Sequence, residues 1–377
     1  MSRVHLGDVA IEHKENCKED KSMYPIVGLE HLTPEQITLQ NWDLNTENTF
    51  TKVFRKGNVL FGRRRAYLKK AAVAPFDGIC SGDITVIEAK EDKIIPELLP
   101  FVIQNDDLFD FAVGKSAGSL SPRVKWTHLQ NYEFELPSKE KQSELAKVLW
   151  AIEDTRKSYQ KLIKRTDEFV KSQFIELFGE PRKDDKGWGI TTLGECCELN
   201  PKRPRDIKDE LLVSFVPMSA VSEDGKIDCS DIRPYKEVRK GFKYFAENDV
   251  LFAKITPCME NGKGAVAKGL EGGIGSGSTE FHVLRPIAGK SNPYWLYIIT
   301  MFESFRLGAK KVMTGTGGQL RVPIGYLKDY PISLPPIELQ NSFEEFVHQS
   351  DKSKFELNRA LDELTATYKQ IIKDNLG

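Results

Sequence analysis

In two long segments of the chain, apolar residues recur at steps of three and four, with charged residues between them. The first segment follows Pro137 and covers residues 138–178 without a Gly or Pro, and the second follows Pro336 and runs to about Asn375. This spacing predicts two amphipathic helices with the heptad seam of a coiled coil. At 1.5 Å per residue, each would be about 60 Å long, so we expect them to bury their apolar stripes on each other or on a partner. The predicted seam residues are Leu145, Leu149, Ile152, Tyr159, Ile163, Leu357, Leu361, Leu364, Tyr368 and Ile371.

The remaining segments contain short apolar runs separated by Gly, Pro and Asn, which is typical of short strands joined by turns. One longer apolar segment in each half opens with proline at a first-turn position and predicts a helix, Pro96–Phe111 in the first half and Pro293–Leu307 in the second. Each half is therefore predicted to be a mixed α/β unit. The predicted strands are Pro25–Leu29, Asn58–Phe61 and Ile84–Ile87, then Phe215–Met218, Asp249–Phe252 and Phe281–Leu284.

The second half of the chain repeats the first. The period is close to half of the 377 residues, which is too long for a solenoid repeat and fits two whole domains. Both copies end in Leu-Pro, followed by one of the long helices. The matching segments are Val4–Asp8 with Thr191–Glu195, Asn58–Phe61 with Asp249–Phe252, Ala71–Ala74 with Gly264–Ala267, Ser81–Val86 with Ser278–Val283, and Val124–Pro137 with Val322–Pro335.

Chain connectivity predicts how the parts are arranged. The second unit joins the far end of helix one to the near end of helix two, so the shortest connection sends helix two back antiparallel along helix one. We therefore expect an α/β (α+β) protein with two similar mixed domains, two long antiparallel coiled-coil helices and a pseudo-two-fold axis. Such a protein would meet a partner with two inverted, non-identical half-sites. The predicted boundaries are 1–136 for the first domain, 137–179 for the first helix, 180–334 for the second domain and 335–377 for the second helix.

Composition narrows the class of protein. With 40% hydrophobic and 29% charged residues, the chain has enough apolar material for two cores. The N-terminus lacks the apolar stretch of a secretory signal, and no run approaches the roughly 18 apolar residues of a spanning helix, so we expect a cytoplasmic protein without a membrane partner. None of the six cysteines falls into a zinc-binding pattern, and the adjacent Cys196 and Cys197 are predicted to be reduced core positions. A net charge of −1 excludes a uniformly basic coat but not local basic surfaces.

Catalytic patterns are weak, and we predict neither a catalytic residue nor a metal site. The glycine-rich segment 272–278 lacks the Lys-Ser/Thr of a phosphate-binding loop, so a turn with close backbone approach is favoured. Asp77, Glu88 and Lys90 are faintly similar to the carboxylates and lysine of metal-dependent nucleases. The position matching Glu88 in the second half is Arg285, which disfavours a paired nuclease. A nuclease nevertheless stays open as one alternative function.

Basic and polar side chains fall at equivalent places in both halves, directly after the Val-Leu-Phe strand. We call these segments the first basic loop (Gly62–Lys70) and the second basic loop (Ala253–Lys263). Arginine can bind guanine or phosphate, asparagine can pair with adenine, and threonine serves either polar role. A solvated surface is the common explanation of such a charge run, but the matched position favours a nucleic-acid interface. The predicted contact residues are Arg63, Arg64, Arg65, Tyr67, Lys69 and Lys70 in the first loop, and Lys254, Thr256, Asn261 and Lys263 in the second.

A second pair of matched loops precedes the last strand of each half. The first polar loop is Gly114–Arg123 and the second polar loop is Gly315–Arg321. Their short side chains would permit backbone contact with a phosphate that Arg123 and Arg321 could clamp, although flexible turns with ordinary surface arginines fit each loop equally well. The predicted contact residues are Ser116, Ser119, Arg123, Thr316, Gln319 and Arg321.

With the duplicated loops and the two long helices, the chain resembles the specificity (S) subunit of type I restriction–modification systems over essentially its whole length. The best-matching segments are NVLFGRRRAYLKKAAVA and CSGDITVIEA in the first half, DVLFAKITPCMENGKGAVA and STEFHVLRP in the second, and the Leu-Pro that precedes each helix. The two α/β units then correspond to target-recognition domains. Recognition loops vary within that family, so the resemblance assigns no individual base contact.

The resemblance implies a subunit without catalytic activity and without a cofactor of its own. It implies binding to double-stranded DNA at a bipartite asymmetric target and binding of two methyltransferase (M) subunits through the helices. Adenine methylation would use S-adenosylmethionine held by the M subunits, and cleavage would use ATP and Mg on restriction (R) subunits where these join. Besides the nuclease, an anti-restriction decoy or interaction scaffold that binds M subunits without recognising DNA stays open as an alternative.

Overall fold

The computed structural model describes residues 2–18 and 21–377, and the chain folds into two compact units. Unit 1 consists of Met1–Leu162 and Leu357–Gly377, and unit 2 consists of Ile163–Glu356. Each unit combines one α/β domain with segments of two long helices. Helix Lys139–Phe178 begins in unit 1 and ends in unit 2, and helix Ile337–Leu376 begins in unit 2 and ends in unit 1. The predicted helices 138–178 and 337–375 are therefore confirmed almost to the residue.

The described residues of unit 1 form three sheets. Strands β5 and β8 lie at the centre of a four-stranded sheet with the order β2-β8-β5-β6, and the other two sheets have the orders β3-β7-β4 and β1-β9. All four residues of β5 are buried, because this central strand is covered on both faces. The elements are β1 (Ser2–His5), α1 (Leu6–Val9), β2 (Ala10–Glu12), β3 (Ile26–Val27), β4 (Lys52–Phe54), β5 (Val59–Gly62), β6 (Ala71–Val73), β7 (Gly78–Cys80), β8 (Ile84–Ala89), α2 (Leu99–Ile103), α3 (Asp106–Gly114), α4 (Trp126–Leu129), β9 (Glu133–Leu136) and α5 (Lys139–Phe178).

Unit 2 repeats this topology with one further strand, β13, at the edge of its second sheet. Its sheets have the orders β11-β18-β15-β16, β13-β12-β17-β14 and β10-β19. The central strands β15 and β18 are antiparallel, with Leu251 opposite Val283, just as Leu60 lies opposite Val86 in unit 1. The elements are β10 (Ile190–Thr192), α6 (Leu193–Cys196), β11 (Cys197–Leu199), β12 (Leu212–Val216), β13 (Ile232–Pro234), α7 (Tyr235–Val238), β14 (Lys243–Ala246), β15 (Val250–Ala253), β16 (Gly264–Val266), β17 (Ile274–Gly277), β18 (Phe281–Pro286), α8 (Pro293–Met301), α9 (Glu303–Lys311), α10 (Ile324–Lys328), β19 (Pro331–Ser333) and α11 (Ile337–Leu376).

The aromatic core is also duplicated. Phe61 on β5 lies against Phe109 on α3, with ring centroids 5.5 Å apart, and Phe252 on β15 lies against Phe305 on α9 at the same separation. All four rings are at most 1% exposed. Burial of these rings attaches the domain helices to the central strands, which in turn hold the loops that follow those strands.

In each domain, the segment predicted as one helix forms two, α2 and α3 in unit 1 and α8 and α9 in unit 2, so the expectation of one helix at Pro96–Phe111 and one at Pro293–Leu307 was wrong. In unit 1, Asn105 has an extended backbone and accepts a hydrogen bond from the Asp107 N–H (3.1 Å), which starts α3 as a new helix. In unit 2, Phe302 has φ −66° and ψ 138°, which ends α8 before α9. Apolar periodicity continues across both breaks and hides them.

The two long helices pack antiparallel in unit 2. The rings of Phe174 on α5 and Phe343 on α11 lie 5.5 Å apart, and Asp167 on α5 pairs with Lys354 on α11 at 2.9 Å. The earlier residue of α5 thus pairs with the later residue of α11, so the two helices run in opposite directions. In unit 1, the Arg156 guanidinium on α5 lies 5.4 Å from the centroid of the Tyr368 ring on α11. The predicted pairing of the helices is therefore present in each unit.

A buried glutamine fastens the start of each long helix to its own domain. In unit 1, the Ile95 N–H donates to Gln142 Oε1 (2.9 Å), and Gln142 Nε2 donates to the Pro137 carbonyl (2.9 Å). In unit 2, the Asn292 N–H donates to Gln340 Oε1 (2.9 Å), whose amide also reaches backbone carbonyls. Because both amides are almost fully buried, these hydrogen bonds define how each helix leaves its domain.

Among the described residues, no helix combines the length and the apolar character that crossing a lipid bilayer requires.

Candidate nucleic-acid interface

The first basic loop and the first polar loop form one continuous surface in unit 1. The Arg65 N–H donates to the Pro122 carbonyl (2.8 Å), and the Val124 N–H donates to the Arg63 carbonyl (2.9 Å). Between these contacts, Arg64 and Arg123 form an antiparallel β-bridge. Two loops that sequence analysis predicted separately therefore lie side by side.

Unit 2 builds the same surface from its own loops. The Thr256 N–H donates to the Leu320 carbonyl (3.0 Å), and the Val322 N–H donates to the Lys254 carbonyl (2.8 Å). Ile255 and Arg321 form the corresponding β-bridge. The residue correspondence predicted from the repeat thus extends to individual backbone hydrogen bonds.

The arginine at the end of each polar loop is bound by a carboxylate. Arg123 Nε and Nη2 donate to the two oxygens of Asp83 (2.7 and 3.2 Å), and Arg321 donates from Nε and Nη2 to Glu280, with closest contacts of 2.9 Å. These hydrogen bonds hold the pKa of each carboxyl below its ordinary value. A phosphate contact by these two arginines was one of the two interpretations of the polar loops, and it stays a prediction. The structure gives each guanidinium an internal acidic partner.

Three basic side chains of the first basic loop are also engaged within unit 1. Arg64 Nη2 donates to Ser121 Oγ (2.9 Å), Lys69 Nζ to Asp106 (2.5 Å) and Lys70 Nζ to the Leu29 carbonyl (2.7 Å). The hydrogen bond to Asp106 raises the pKa of Lys69. These contacts orient the side chains toward the protein, so their charges are not fully available to an external partner.

Arg65 and Tyr67 project from the first basic loop. Arg65 is exposed, and within the described part of the chain its side chain has no hydrogen-bond or ion-pair partner; Tyr67 is 54% exposed. Arg65 also has a positive φ of 55°, an uncommon conformation for a residue with a side chain. Arg63 is only half-buried overall, but its Nε is shielded from water and lacks a hydrogen-bond partner among the described residues. The strongest contact candidate in this loop is therefore Arg65.

In the second basic loop, the Thr256 hydroxyl is hydrogen-bonded within unit 2, whereas the Asn261 amide is exposed. Thr256 Oγ1 donates to the Gly318 carbonyl (2.7 Å) and accepts from the Leu320 N–H (3.1 Å), so it joins the two loops. Lys263 Nζ donates to the Met218 carbonyl (3.3 Å), whereas the Asn261 side chain is exposed.

In unit 2, Lys243 and Lys254 lie close enough for their positive charges to repel each other, and Lys254 also interacts with the Glu280 carboxylate. Burial first and the nearby charge of Lys254 second lower the pKa of Lys243. A cation that is destabilised by a neighbouring cation favours an anion close by. Lys243 belongs to β14, outside both predicted loops.

Exposed polar side chains differ between the two polar loops. Ser119 is exposed in unit 1, as are Thr316 and Gln319 in unit 2, whereas Ser116 Oγ is bonded to the Ala112 carbonyl (2.8 Å). Leu120 is 89% exposed and was outside the predicted contact residues, which are all polar or charged. The two surfaces therefore share a backbone framework and present different side chains.

The predicted helix seam is partly buried and lies within both units. Leu149 and Tyr368 are buried in the core of unit 1, and Leu145, Ile152 and Ile371 pack against it. The other predicted seam residues are half-buried: Tyr159, Ile163, Leu357, Leu361 and Leu364. The most buried helix residues that pair in unit 2 are Phe174, Phe178 and Phe343, which are at most 3% exposed. Of these three, Phe174 and Phe178 were outside the predicted set.

Several apolar residues of the long helices face outward. Phe355 is 64% exposed and Phe169 is 52% exposed in unit 2, and Val148 is 48% exposed in unit 1. Isolated exposed apolar residues are normal, but large aromatic rings on a helix that already buries another stripe are typical of a docking surface.

The residues of the nuclease alternative do not converge. Asp77 binds Arg55 (3.0 Å), Glu88 binds His13 Nδ1 (2.6 Å), and Lys90 donates to the Gly7 carbonyl (2.6 Å). Among the described residues, no group of three His, Cys, Asp or Glu side chains is arranged to hold a metal ion. The three residues thus have separate structural partners, and the geometry gives the nuclease hypothesis no support.

The adjacent cysteines and the glycine-rich segment have the structural roles predicted for them. Cys196 and Cys197 are buried core residues. Residues 271–273 form a short turn that leads into β17. A Cβ on Gly277 would lie 2.1 Å from the Val216 carbonyl oxygen, so this glycine permits the close backbone approach that was predicted.

Comparisons with known proteins agree with the duplicated architecture. The family model of the type I restriction modification DNA specificity domain matches residues 3–165 and again residues 185–365. The type I restriction enzyme EcoEI specificity subunit of Escherichia coli is 39% identical over 202 residues, which cover 53% of this chain and 33% of the relative. The EcoAI specificity subunit of the same organism is 37% identical over 199 residues, which cover 51% and 32%. The chain thus spans about a third of the length of these relatives.

Two solved structures share the fold across the whole chain. A chain of a type I R-M system aligns with a TM-score of 0.56 at 20% identity, covering 99% of this chain and 97% of that one. The type I restriction-modification system S subunit from M. genitalium aligns with a TM-score of 0.55 at 11% identity, covering 100% and 96%. With two matches of the family model and two copies of the same loop framework, this chain belongs to the type I restriction modification DNA specificity domain family.

Proposed function

We propose that this chain is the DNA-recognition subunit of a type I restriction–modification enzyme. Each unit binds one half of a bipartite, asymmetric DNA target, and the chain directs methylation or restriction by its partner subunits. The observation that carries this proposal is the duplicated framework of basic and polar loops, on which Arg65, Tyr67 and Ser119 are exposed in unit 1 and Asn261, Thr316 and Gln319 in unit 2. A common framework with different exposed side chains suits two different base sequences.

The exposed side chains of these loops are of types that can contact DNA. Arg65 offers a planar guanidinium that can bind phosphate or a guanine edge, and Asn261 offers an amide that can pair with adenine. Thr316 and Gln319 are exposed on a loop that contains glycines at positions 315, 317 and 318, so backbone N–H groups there can also approach phosphate. Leu120 supplies an exposed apolar group that can contact a thymine methyl.

The partners we propose are two methyltransferase (M) subunits and, where present, restriction (R) subunits. The exposed rings of Phe169 and Phe355 on the long helices support a protein partner at these helices. S-adenosylmethionine would be bound by the M subunits, and ATP and Mg by the R subunits, so the chain itself acts without a cofactor and without a catalytic residue. We place this assembly in the cytoplasm, where host DNA is accessible.

Methylation mapping tests the proposal directly. The chain is co-expressed with its M subunit in a host without other adenine methyltransferases, and genomic adenine methylation is mapped by single-molecule sequencing. The expected result is methylation at one split sequence that disappears when this chain is omitted. Complete absence of such a motif, with a stable complex of the chain and M, would point to the decoy or scaffold alternative. Metal-dependent cleavage by the chain alone would point to the nuclease.

A further inference from the structure

In each unit, one acidic residue directly before a central strand contacts both the basic loop and the polar loop. This residue is Asp83 before β8 in unit 1 and Glu280 before β18 in unit 2. In unit 1, the Asp83 carbonyl accepts from the Arg63 N–H (3.0 Å) of the basic loop, and the Asp83 carboxylate accepts twice from Arg123 of the polar loop. The Asp83 N–H donates to Ser81 Oγ (3.2 Å), which orients the anchor itself. One residue therefore contacts both loops.

Unit 2 reproduces every one of these contacts with a longer acid. The Glu280 carbonyl accepts from the Lys254 N–H (2.9 Å), its carboxylate binds Arg321, and its N–H donates to Ser278 Oγ (3.2 Å). Other side chains of the same loops are not matched in this way: position 65 carries an exposed Arg, and its counterpart at position 256 carries Thr, whose hydroxyl joins the two loops of unit 2. Both units therefore share the anchoring carboxylate, although the exposed side chains of their loops differ.

Backbone hydrogen bonds show what the anchored arginines hold in place. Arg123 and Ala117 exchange two hydrogen bonds (3.1 and 3.0 Å) that close the first polar loop, and Arg321 and Thr314 exchange two (3.0 and 2.8 Å) that close the second. Each arginine also forms the β-bridge to the basic loop described above. Displacement of either guanidinium would therefore release both loops of its unit.

We propose that Arg123 and Arg321 are positioning residues: bound to Asp83 and Glu280, they hold the two loops of each unit in the arrangement that presents their exposed side chains to DNA. This inference rests on the proposed function. It assigns the arginines to the protein framework and not to phosphate, and it predicts that each one acts on one half of the target.

Charge and shape explain why arginine is used. A guanidinium forms two parallel hydrogen bonds with a carboxylate, which constrains both distance and orientation, whereas an ammonium is a point charge. Asp83 and Glu280 have side-chain exposures of 21% and 23%, so solvent screens these pairs only in part. Their lowered pKa values mean that both carboxylates stay ionised at neutral pH.

Two variants of unit 1 separate positioning from phosphate contact, because each leaves the local net charge unchanged. Arg123→Lys keeps the positive charge but loses the two-pronged hydrogen bond, and the double variant Asp83→Asn/Arg123→Gln removes one negative and one positive charge. Each is purified in complex with the M subunit. Binding is measured against a duplex with the mapped target and against a scrambled duplex of the same composition, over a series of salt concentrations.

If the arginines act as positioning residues, the variants should lose discrimination between target and scrambled DNA but keep the same number of charge contacts with phosphate. Both variants should lower the ratio of target to scrambled affinity by about tenfold or more, with an unchanged slope of log affinity against log salt. Methylation mapping should show relaxed base preference in one half of the motif only, and Arg321→Lys should relax the other half. Faster hydrogen exchange at the amides of Arg65 and Ala117, with the rest of unit 1 protected as in the wild type, reports the released loops.

Phosphate contact predicts the opposite pattern. Arg123→Lys would then retain discrimination, and the double variant would lower the salt slope by about 0.9 with an unchanged affinity ratio, which would overturn the positioning role. Equal binding of both duplexes by the wild-type complex would instead reject the proposed function itself. If the double variant fails to fold, Arg123→Lys and Arg321→Lys still decide between the two roles.

Discussion

Lys354 Nζ on α11 lies 2.9 Å from Asp167 Oδ1 on α5, and it lies equally close to Asp351 on its own helix. The Lys354 side chain is only 16% exposed, although both acids are near half exposure. Unit 1 contains a related pair at the matching place on α5, where Arg156 contacts Glu153 at 3.1 Å. An acid and a base three residues apart thus face the opposite helix in both units. Such partly buried polar contacts favour one alignment of paired helices over others.

Lys354→Met should destabilise unit 2 by about 1–2 kcal/mol, because it leaves Asp167 and Asp351 without their shared cation. Their partial exposure keeps the loss below that of a fully buried pair. Urea unfolding of the variant, combined with hydrogen exchange in unit 2, measures the effect. Lys352→Met is the matched control, since Lys352 is an exposed lysine of the same helix, and it should change stability by less than about 0.5 kcal/mol. Equal stabilities of the two variants would contradict a structural role for Lys354.

Substitutions of two phenylalanines of α11 should have different effects, one on folding and the other on partner binding. Phe343 is fully buried against Phe174 and Phe178, with ring centroids 5.5 and 5.3 Å away, so Phe343→Ala should lower the free energy of unfolding by about 3–5 kcal/mol. Phe355 is 64% exposed, so Phe355→Ala should leave stability nearly unchanged and weaken binding to the M subunit. Thermal unfolding and co-purification with M are the two measurements. Undiminished binding of M by Phe355→Ala would remove this ring from the proposed docking surface.

Arg65 and Lys69 lie in one basic loop and should nevertheless behave differently toward DNA. Arg65→Gln should reduce affinity and lower the salt slope by about 0.9, because the exposed guanidinium is available to a phosphate or base. Lys69→Gln should leave the slope unchanged and cost about 0.5–1 kcal/mol of stability, because Lys69 is paired with Asp106. Salt titrations of DNA binding by the complex distinguish them. A reduced slope for Lys69→Gln would show that the Asp106 contact opens when DNA binds.

His282 should make the stability of unit 2 depend on pH. Burial first lowers the pKa of this side chain from 6.5 to about 4, despite the opposing effect of its hydrogen bond to the Val322 carbonyl. As the pH falls below 6.5, the unfolded chain takes up a proton that the folded chain does not, so the free energy of unfolding decreases. The decrease levels off below about pH 4, at a total of roughly 3 kcal/mol.

Unfolding experiments across this range test the histidine. His282→Thr installs the residue found at the matching position of unit 1, Thr85, and should flatten the pH dependence although it also lowers stability at neutral pH. His128→Thr, at an exposed position, should leave the pH dependence as in the wild type. A wild-type slope in His282→Thr would mean that other groups carry the effect.

Much of the architecture was predictable from the order of residues. The long helices α5 and α11 were predicted almost to the residue, because a heptad pattern without Gly or Pro is a property of neighbouring positions. The correspondence between the halves was also predictable, and it extends to the contacts of Asp83 and Glu280. The breaks at Asn105 and Phe302 were not, because apolar periodicity passes through both and the backbone turn depends on what packs around it.

By itself, the sequence determined the helices, the central strands and the existence of two matched sets of loops, since each of these follows from local periodicity or internal repetition. Only the tertiary structure decided which loop side chains face outward. Arg65 and Lys69 both carry a positive charge and lie four residues apart, yet one is exposed and the other is bound by Asp106, which lies 37 residues away. Arg123 likewise finds Asp83 at a separation of 40 residues. A charged group's role depends on the partner that folding brings within hydrogen-bond distance, and no local pattern records that partner.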